Sequence, residues 1–274
     1  MTLQQKLNNI DKLKGWLDSF RPLEPSMVQE MKKIYDVTFT YNSNAIEGNT
    51  LTQSETELVL EKGITIGGKS LKEHLEVIGH KDAIDYIEEL AKTDFVCSER
   101  EVKDIHTNLM IKIEKKEAGK YRNLDVRAAG TNHVYPAHYK VKDLMENFIS
   151  WLNSDEAKAL HPVNYATQAH FKLASIHPFK DGNGRTARLL MNLILLKHGY
   201  PIAVITNNKR KEYIDSLVHA QDHSDDISRF LEIVAYIVKD SLVDYLSIVS
   251  TMSVDKNREL PFYSEMQAVI ERVY

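Results

Sequence analysis

The sequence predicts a mostly helical protein, and three observations support that fold class. Apolar residues recur at helical spacing through most of the 274 residues. Gly, Pro and Asn residues stand between these periodic stretches, where helices end. The segment 119–138 breaks the helical pattern with a short β-like stretch and predicts a loop or hairpin. The predicted helices span 71–90 (as an amphipathic pair), 101–113, 141–153, 163–176, 185–198, 209–221 and 227–250.

Local signals justify these elements in chain order. A capped amphipathic pattern begins at Thr52. In the pair that follows, apolar residues recur three or four positions apart: Leu71, Leu75 and Ile78, then Ile84, Ile87 and Leu90. Further along, Gly199 and Pro201 end the most apolar of the predicted helices. Asn207 and Asn208 then offer a cap for the next helix.

Composition and charge exclude several classes of protein. Hydrophobic residues make up 43% of the chain and charged residues 27%, close to the average of globular proteins. The formal net charge of -4 disfavours nucleic acid as the main partner. The single cysteine, Cys97, cannot form an internal disulfide, which fits a reducing compartment. Because no secretory signal and no apolar stretch of about 20 residues is found, we expect a cytoplasmic protein without a membrane partner.

Two glycine-rich segments are candidates for phosphate chemistry. The first, 63–70, satisfies the pattern G-x-x-x-x-G-K-[ST] of a nucleotide-binding P-loop, in which Lys69 would be essential. A P-loop needs a buried strand before it and alternating strands and helices after it. Because a helical pattern precedes this segment, we interpret it as a helix-to-helix loop with Gly63 as a helix C-cap.

The second segment, 177–188, reads HPFKDGNGRTAR and lies between two strongly helical stretches. Its two glycines allow a turn whose backbone N–H groups can hold an anion, where the next helix directs its positive end. His177 can act as a general base, and Asp181 offers oxygen ligands to Mg²⁺. Arg185 and Arg188 share one helix face, from which both could reach a polyphosphate. Together these residue types predict a phosphate-transfer site.

This second segment resembles the signature H-P-F-x-[DE]-G-N-G-R-x-x-R of the Fic (filamentation induced by cAMP) family at every defining position. The flanking helices and the segment 119–138 also resemble the core helices and flap of that family. The resemblance implies an all-α fold, a helical bundle with a small β-hairpin flap. It further implies an N-terminal helical region over 1–95, a catalytic core over 96–250 and a C-terminal extension of unknown role over 251–274.

Members of this family typically transfer AMP from ATP to a Ser, Thr or Tyr hydroxyl of a target protein, so the resemblance implies a protein adenylyltransferase. It implies that His177 deprotonates the attacking hydroxyl and that Asp181 holds Mg²⁺, or Mn²⁺ in its place, at the phosphates. The nucleotide-binding residues implied in the loop are Asp181, Gly182, Asn183, Gly184, Arg185, Thr186, Ala187 and Arg188.

The resemblance extends to a helix and a flap outside the loop, where the family contacts the base and the target. The nucleotide contacts implied there are Tyr213, Ile214, Leu217 and Gln221 in the helix, and Ala129, Gly130 and Thr131 in the flap. Ile214 and Gln221 depart from the family's pattern Y-Y-x-A-L-x-x-A-N, so another nucleotide donor stays open. The flap is implied to dock an extended target segment by strand pairing.

Residues 43–50, SNAIEGNT, resemble the family's inhibitory motif [ST]-x-x-x-E-[GN], here ahead of the catalytic core. The resemblance implies that Ser43, Glu47 and Gly48 belong to an N-terminal inhibitory helix. Glu47 is expected to form a bidentate ion pair with Arg188 and so to occupy the guanidinium that the γ-phosphate would use. In some family members the same glutamate orients a water molecule that removes AMP from a modified target.

Two alternatives to an adenylyltransferase remain, a non-catalytic regulatory or interaction protein with the same fold and a P-loop NTPase. A homodimer is implied for this subclass by the resemblance alone. We interpret His161 and His170 as core or surface histidines rather than metal ligands, and Cys97 as a small thiol rather than a nucleophile.

Overall fold

The structure is a computed structural model that describes residues 1–127, 133–223, 226–252 and 260–271. Its α-helices are α1 Leu3–Ser19, α2 Pro25–Ile46, α3 Gln53–Lys62, α4 Leu71–Ala91, α5 Glu99–Met110, α6 Val141–Leu152, α7 Asp155–Lys158, α8 Pro162–Ile176, α9 Asn183–Lys197, α10 Arg210–Asp222, α11 Ser228–Met252 and α12 Tyr263–Ile270. Short 3-10 helices lie at His138–Lys140 and Asn207–Lys209. The predicted mostly helical fold is confirmed.

Helix α9 lies at the centre of the bundle. Most of its side chains are buried, including the polar Asn192 and both arginines of its first two turns. It packs against α8, α4 and α5, and α2 contacts it from the N-terminal region. On the outer side, α1 packs along α11. The N-terminus of α9, where the candidate signature begins, is therefore surrounded by helices from both halves of the chain.

The segment predicted as a helix pair over 71–90 is one continuous helix, and that prediction was wrong. The gap between Ile78 and Ile84 is filled on the buried side by His80 and Ala83. A Cβ added at Gly79, near the middle of the helix, would lie 2.5 Å from the carbonyl oxygen of a residue in α5. The glycine thus allows α4 and α5 to pack closely and does not mark a break between two helices.

The start of α10 differs from the predicted cap. Asn207 belongs to a 3-10 helix, and the N-cap of α10 is Lys209, without a side-chain hydrogen bond. The backbone N–H of Asn207 donates to Oδ1 of Asn42 in α2 at 2.8 Å. The predicted cap by Asn207 and Asn208 is therefore wrong, because this turn is tied to α2 instead.

Segment 63–70 connects two helices. Helix α3 enters it, and Gly63 ends that helix in the left-handed conformation with a φ of 63°. The Nζ of Lys69 donates to the carbonyl oxygen of Thr50 at 2.5 Å and lies 3.8 Å from Glu55. The interpretation as a helix-to-helix loop is confirmed, and the P-loop alternative fails because a helix stands where the strand is required.

The flap segment 119–138 leads from α5 to α6. Within the described residues its β-structure is one isolated antiparallel bridge, between Arg127 and Val134. The predicted hairpin is therefore reduced to a single paired position in the part that can be described. The three flap residues expected to contact the nucleotide lie outside the described residues: Ala129, Gly130 and Thr131.

The C-terminal segment packs onto the bundle through α12. Met266 and Ile270 are buried, and the ring of Phe262 stacks on Trp16 of α1 with centroids 5.7 Å apart. Among the residues that the structure covers, no helix has both the length and the hydropathy needed to span a bilayer.

Candidate active site

The signature loop, residues 177–182, joins α8 to α9 and begins with His177 in a left-handed conformation, with a φ of 52°. Nδ1 of His177 lies 3.3 Å from the carbonyl oxygen of Ala174. Since a carbonyl oxygen can only accept, Nδ1 carries the hydrogen and the lone pair is on Nε2. The ring of Tyr135 stacks on the imidazole with centroids 3.8 Å apart. Burial lowers the pKa of His177 to about 4, so the ring is neutral near pH 7 and can accept a proton.

Asp181 and Gly182 form the turn at the start of α9. Gly182 has a φ of 76°, which glycine adopts without steric cost. Its N–H donates to Oδ1 of Asp181 at 2.6 Å. The Asp181 side chain is 55% exposed. The turn therefore presents an accessible carboxylate beside a helix N-terminus, where backbone N–H groups favour anions.

Asn183 and His106 hold the signature loop in shape. The Asn183 side chain accepts from the N–H of Phe179 and donates to its carbonyl oxygen, both at 2.8 Å. The imidazole of His106 stacks on the Phe179 ring, and its Nε2 donates to the carbonyl oxygen of Asp181 at 3.0 Å. The Asn183 side chain is therefore engaged inside the loop, and a contact of this residue with phosphate would use its backbone N–H.

The Arg188 guanidinium is buried between α2 and α10, and each of its nitrogen atoms has a partner. Nε donates to Oγ of Ser43 at 3.0 Å, and Nη1 donates to the Tyr213 hydroxyl at 3.3 Å. Nη2 donates to the Ser43 carbonyl oxygen at 2.8 Å and to Oε1 of Glu47 at 2.7 Å. The predicted contact between Glu47 and Arg188 is present. The bidentate geometry expected for it is wrong, because Ser43 and Tyr213 take the other donors.

The Glu47 carboxylate lies at the N-terminus of α9. Burial raises the pKa of Glu47, but the charge of Arg188 and its hydrogen bond outweigh this effect, so the pKa lies below its ordinary value. A Cβ added at Gly184 would overlap Oε1 of Glu47. The missing side chain at Gly184 therefore lets the carboxylate take the position where this turn would bind an anion.

Arg185 is as buried as Arg188 but is held by longer contacts. Nη1 lies 3.4 Å from Oδ1 of Asn44 and 3.5 Å from Oε1 of Glu76. Nη2 lies 3.5 Å from Oδ1 of Asp181, and Nε has no partner in the described part of the chain. The two arginines start from one face of α9, yet their guanidinium groups have different partners.

A cavity of about 380 Å³ opens beside the loop, between His177 and α10. Glu47, Gly184 and Arg188 are among the residues that line it. The four residues of α10 predicted to contact the nucleotide line it as well: Tyr213, Ile214, Leu217 and Gln221. Because the Tyr213 ring is buried and its hydroxyl accepts from Arg188, this residue also orients the arginine.

Two of the predicted nucleotide contacts, Thr186 and Ala187, stay predictions, and the structure bears only on their side chains. Thr186 and Ala187 are fully buried and are absent from the described lining of the cavity. The N–H and the hydroxyl of Thr186 both donate to the carbonyl oxygen of Gly182, at 2.9 Å each. At these two positions of α9 the side chains face the helices packed against it, so they are not available to a ligand.

Four residues that shape the site were not predicted from the sequence: Glu76, Arg122, Tyr135 and Arg210. Nε of Arg210 donates to the carbonyl oxygen of Ile46 at 2.7 Å, one residue before Glu47, and Arg210 also lines the cavity. Arg122 and Tyr135 lie in the segment that resembles the family's flap, which was the one available signal. Glu76 and Arg210 lie in ordinary helical patterns and carried none.

The residues present at the turn fit a magnesium ion. Both described contacts of the Asp181 carboxylate fall on Oδ1, so Oδ2 is available to a cation. Mg²⁺ is usually bound by one or two carboxylates together with phosphate oxygens and water.

Three other carboxylates lie close enough to one another to hold a metal ion: Asp36, Asp85 and Glu88. There the ammonium of Lys32 already contacts all three carboxylates and supplies the positive charge.

The remaining candidate residues have structural roles. His161 contacts Asp11 at 2.9 Å, and fully buried His170 contacts the Tyr213 hydroxyl at 3.0 Å. Burial lowers the pKa of His170 to about 3 and raises the pKa of Cys97 to about 12. A histidine kept neutral in the core and a thiol kept protonated are the roles expected for them.

Comparisons of sequence agree with this site. The profile of the Fic/DOC family matches residues 96–195. The protein adenylyltransferase Fic of Aedes aegypti is 36% identical over 252 residues, which are 91% of this chain and 49% of that protein. The protein of the same name from Culex quinquefasciatus is 35% identical over the same shares of the two chains. The chain thus spans about half the length of these curated relatives.

Comparisons with solved structures extend the similarity to the whole bundle. A fragment of Fic-1 from C. elegans has a TM-score of 0.81 and 32% identity, covering 92% of this chain and 74% of that one. A Fic domain containing signaling protein from Bacteroides thetaiotaomicron has a TM-score of 0.82 and 29% identity, covering 89% of this chain and 98% of that one. The N-terminal helices are therefore shared along with the matched core.

Proposed function

The chain belongs to the Fic/DOC family, and from this premise we propose that it is a protein adenylyltransferase. It transfers AMP from ATP to a Ser, Thr or Tyr hydroxyl of a target protein. The observation that carries this proposal is the placement of His177, Asp181 and Arg188 around the N-terminus of α9, beside a cavity of about 380 Å³. In the resting state Glu47 holds the activity back.

His177 accepts the proton of the attacking hydroxyl on Nε2. The hydroxyl oxygen forms a bond to the α-phosphorus, the bond from that phosphorus to the bridging oxygen breaks, and pyrophosphate leaves. Because burial keeps the imidazole neutral near pH 7, His177 need not lose a proton before it acts. The charges of a bound nucleotide would raise the pKa of His177 and so favour this transfer.

The start of α9 binds the phosphates. Backbone N–H groups of Asn183 and Gly184 stabilise charge on the α-phosphate, and Arg185 and Arg188 bind the other phosphates. Asp181 would hold Mg²⁺ or Mn²⁺, which neutralises phosphate charge when bound. Nη2 of Arg185 already lies 3.5 Å from Asp181, so the carboxylate and the guanidinium can act on neighbouring oxygens.

Glu47 restrains this reaction because its carboxylate takes both the N-terminus of α9 and one donor of Arg188. A nucleotide has to displace it, since two anions would otherwise share one site. Glu47 lines the same cavity as His177. This position also supports a second role, in which Glu47 orients a water molecule that removes AMP from a modified target.

The direct test measures transfer of label. The chain, its Glu47→Gly variant and the Glu47→Gly/His177→Ala double variant are incubated with Mg²⁺ and α-labelled ATP. We expect label on protein with Glu47→Gly, weak label with the parent and none with the double variant. Glu24→Gly is a matched control, because Glu24 is an exposed cap at the opposite end of α2. It should leave label at the parent level.

Two outcomes would contradict the proposal. Label that persists in the double variant would remove His177 as the base. No label in any sample, with ATP or with labelled GTP, CTP or UTP and with a cell lysate added as a source of target proteins, would exclude nucleotide transfer and favour a regulatory role. Label from another nucleotide in preference to ATP would change the donor, as the departures at Ile214 and Gln221 allow.

The partners follow from the reaction: ATP and a protein with an accessible hydroxyl. A homodimer and a cytoplasmic location remain predictions of the sequence. Light scattering of the purified chain tests the first, and a tagged copy observed in cells tests the second.

A further inference from the structure

Arg122 lies at the base of the flap, and its side chain is fully buried (0% exposed). Nε donates to the carbonyl oxygen of His177 at 2.8 Å, and the backbone N–H donates to the carbonyl oxygen of Pro178 at 2.9 Å. Nη1 donates to the Leu124 carbonyl oxygen at 3.0 Å, and Nη2 donates to the Pro136 carbonyl oxygen at 2.5 Å. Arg122 therefore joins the signature loop to both arms of the flap, the incoming arm at Leu124 and the outgoing arm at Pro136.

These hydrogen bonds differ from an ordinary buried ion pair, because all four acceptors are main-chain carbonyl oxygens. The nearest carboxylate, Asp125, lies 3.8 Å from Nη1 and is 69% exposed. A guanidinium presents its donors in a rigid planar fork, so it can fix several carbonyl groups in set directions at once. What Arg122 supplies is therefore orientation of backbone rather than neutralisation of a charge.

The backbone that Arg122 holds belongs to the proposed base. His177 has a φ of 52°, which is unfavourable for a residue with a Cβ and persists only where neighbours enforce it. Bonds to the carbonyl groups of His177 and Pro178 fix the two peptide planes that follow the imidazole. The ring itself is covered by Tyr135, which immediately precedes Pro136. Arg122 thus fixes both the backbone of His177 and, through its hydrogen bond to Pro136, the chain next to the tyrosine that covers the His177 ring.

We propose that Arg122 is a positioning residue that couples the flap to His177, so that the base is correctly aimed only when both flap arms are in place. The coupling rests on the proposed function in one respect, that the aimed group takes part in AMP transfer. The arrangement itself can be measured without any turnover.

Three charged groups act on the His177 ring, and the phenol of Tyr135 covers it. Arg122 acts from the flap base and disfavours the protonated ring, whereas Glu47 from the end of α2 and Asp181 from the signature loop favour it. Removing the guanidinium should therefore raise the pKa of His177. Because glutamine removes this charge and lysine keeps it, comparing the two variants separates the charge of Arg122 from its positioning of the backbone.

The test compares Arg122→Lys and Arg122→Gln, each in a Glu47→Gly background. Lysine keeps the charge but replaces the fork by one ammonium, and glutamine removes both. We expect kcat for AMP transfer to fall about 10- to 100-fold in both variants, because small displacements of a reacting group are that costly. The Kd for ATP should stay within about twofold, since Arg122 does not line the described part of the nucleotide cavity. Arg100→Gln, at an 83% exposed arginine of α5, is the matched control.

Two measurements need no activity. NMR titration of the His177 ring protons should give a higher pKa in Arg122→Gln than in Arg122→Lys, and limited proteolysis should cut the flap faster in both variants. Circular dichroism and thermal melts show whether each variant is folded, and the lysine variant remains as a test if the glutamine variant is not.

Distinct results would overturn the proposal. A kcat within about twofold of the Glu47→Gly parent in both variants would do so, as would a loss of ATP affinity that parallels the loss of kcat. If Glu47→Gly itself transfers no AMP, the proposed function fails separately. The positioning proposal is then decided by NMR and proteolysis, and an unchanged His177 pKa with an unchanged flap cleavage rate would end it.

Discussion

Arg185 and Arg188 stand three residues apart on α9, and both are buried, yet their surroundings differ. Arg188 makes four hydrogen bonds of 2.7 to 3.3 Å, one of them to the Glu47 carboxylate. Arg185 has three contacts at 3.4 to 3.5 Å, and its Nε has no partner among the described residues.

This difference indicates where the proposed restraint by Glu47 would act. Hydrogen bonds between charged groups are strongest near 2.7 to 2.9 Å and weaken toward 3.5 Å. Under the proposed function, we therefore expect a polyphosphate to bind Arg185 by replacing weak contacts and to reach Arg188 only by displacing Glu47. The proposed inhibition therefore acts on Arg188, the one of the two guanidinium groups that donates to Glu47.

The largest effect is expected when Arg188, the arginine with the shorter hydrogen bonds, is replaced. Arg188→Gln should lower the free energy of unfolding by about 2 to 3 kcal/mol, because it leaves Glu47, Ser43 and Tyr213 without their donor. Arg185→Gln should lower it by about 1 kcal/mol, since its contacts are longer. Urea denaturation of both variants at pH 7 measures the two values. Equal losses would show that the difference in distances has no energetic counterpart.

The next prediction concerns Glu47→Gln, a substitution that frees Arg188 from its ion pair and keeps the arginine in place. Glu47→Gln keeps the shape of the side chain but loses its charge, so AMP transfer should rise about 10- to 100-fold over the parent, the equivalent of one charged hydrogen bond. Initial rates at fixed ATP and target provide the measurement. Glu24→Gln, at the other end of α2, should leave the rate unchanged. A similar rise in Glu24→Gln would assign the effect to α2 in general rather than to Arg188.

A smaller effect should follow from loosening one neighbour of the pair. Ser43→Ala removes the acceptor of Arg188 Nε but leaves Glu47 in place, and one neutral acceptor contributes about 1 kcal/mol. We expect the basal rate to rise about fivefold, in the same assay. Ser26→Ala changes an exposed serine of the same helix and is the control. A rate in Ser43→Ala equal to that of Glu47→Gln would mean that the serine alone holds the arginine.

The smallest expected effect concerns pH. The pKa of Glu47 is lowered in the folded chain, so the restraint proposed for it should be fully present above the ordinary carboxyl range and lost only as the pH falls through that lowered value. The ratio of rates between Glu47→Gln and the parent should therefore change less than about twofold from pH 6 to 8. Because Glu47 also acts on the His177 ring, the comparison is kept at pH 6 to 8, where the free imidazole with a pKa of about 4 is neutral. A ratio that falls steeply across this range would indicate that another group controls the release.

The helices that the sequence predicted differ from those it did not in how regular their apolar pattern is. Helical periodicity placed α5, α6 and α8 to α11 within a few residues of their observed ends, because each pattern depends on side chains three or four positions apart. It divided α4 in two, because the buried side of that helix continues through His80 and Ala83, which are not large apolar residues. The residue pattern alone did not predict α1 and α2.

The candidate site also has features that the sequence predicted and features that it could not predict. The residue types of the signature loop indicated its chemistry, and the loop shape follows from close neighbours, such as the bonds between Asn183 and Phe179. The signature pattern does not say which face of α9 packs into the core, so it could not show that the side chains of Thr186 and Ala187 are buried. The single-oxygen contact of Glu47 with Arg188 could not be predicted either, since it depends on the competing acceptors Ser43 and Tyr213.

The sequence by itself determined the helical class and predicted the phosphate chemistry of residues 177–188, because both arise from spacings of a few residues along one chain segment. Only the tertiary structure decided how the site is held. Glu47 and Arg188 are 141 positions apart, and Arg122 and His177 are 55 positions apart. Contacts over such separations exist only after the helices have packed, and the packing selects which of several possible acceptors each buried guanidinium finds.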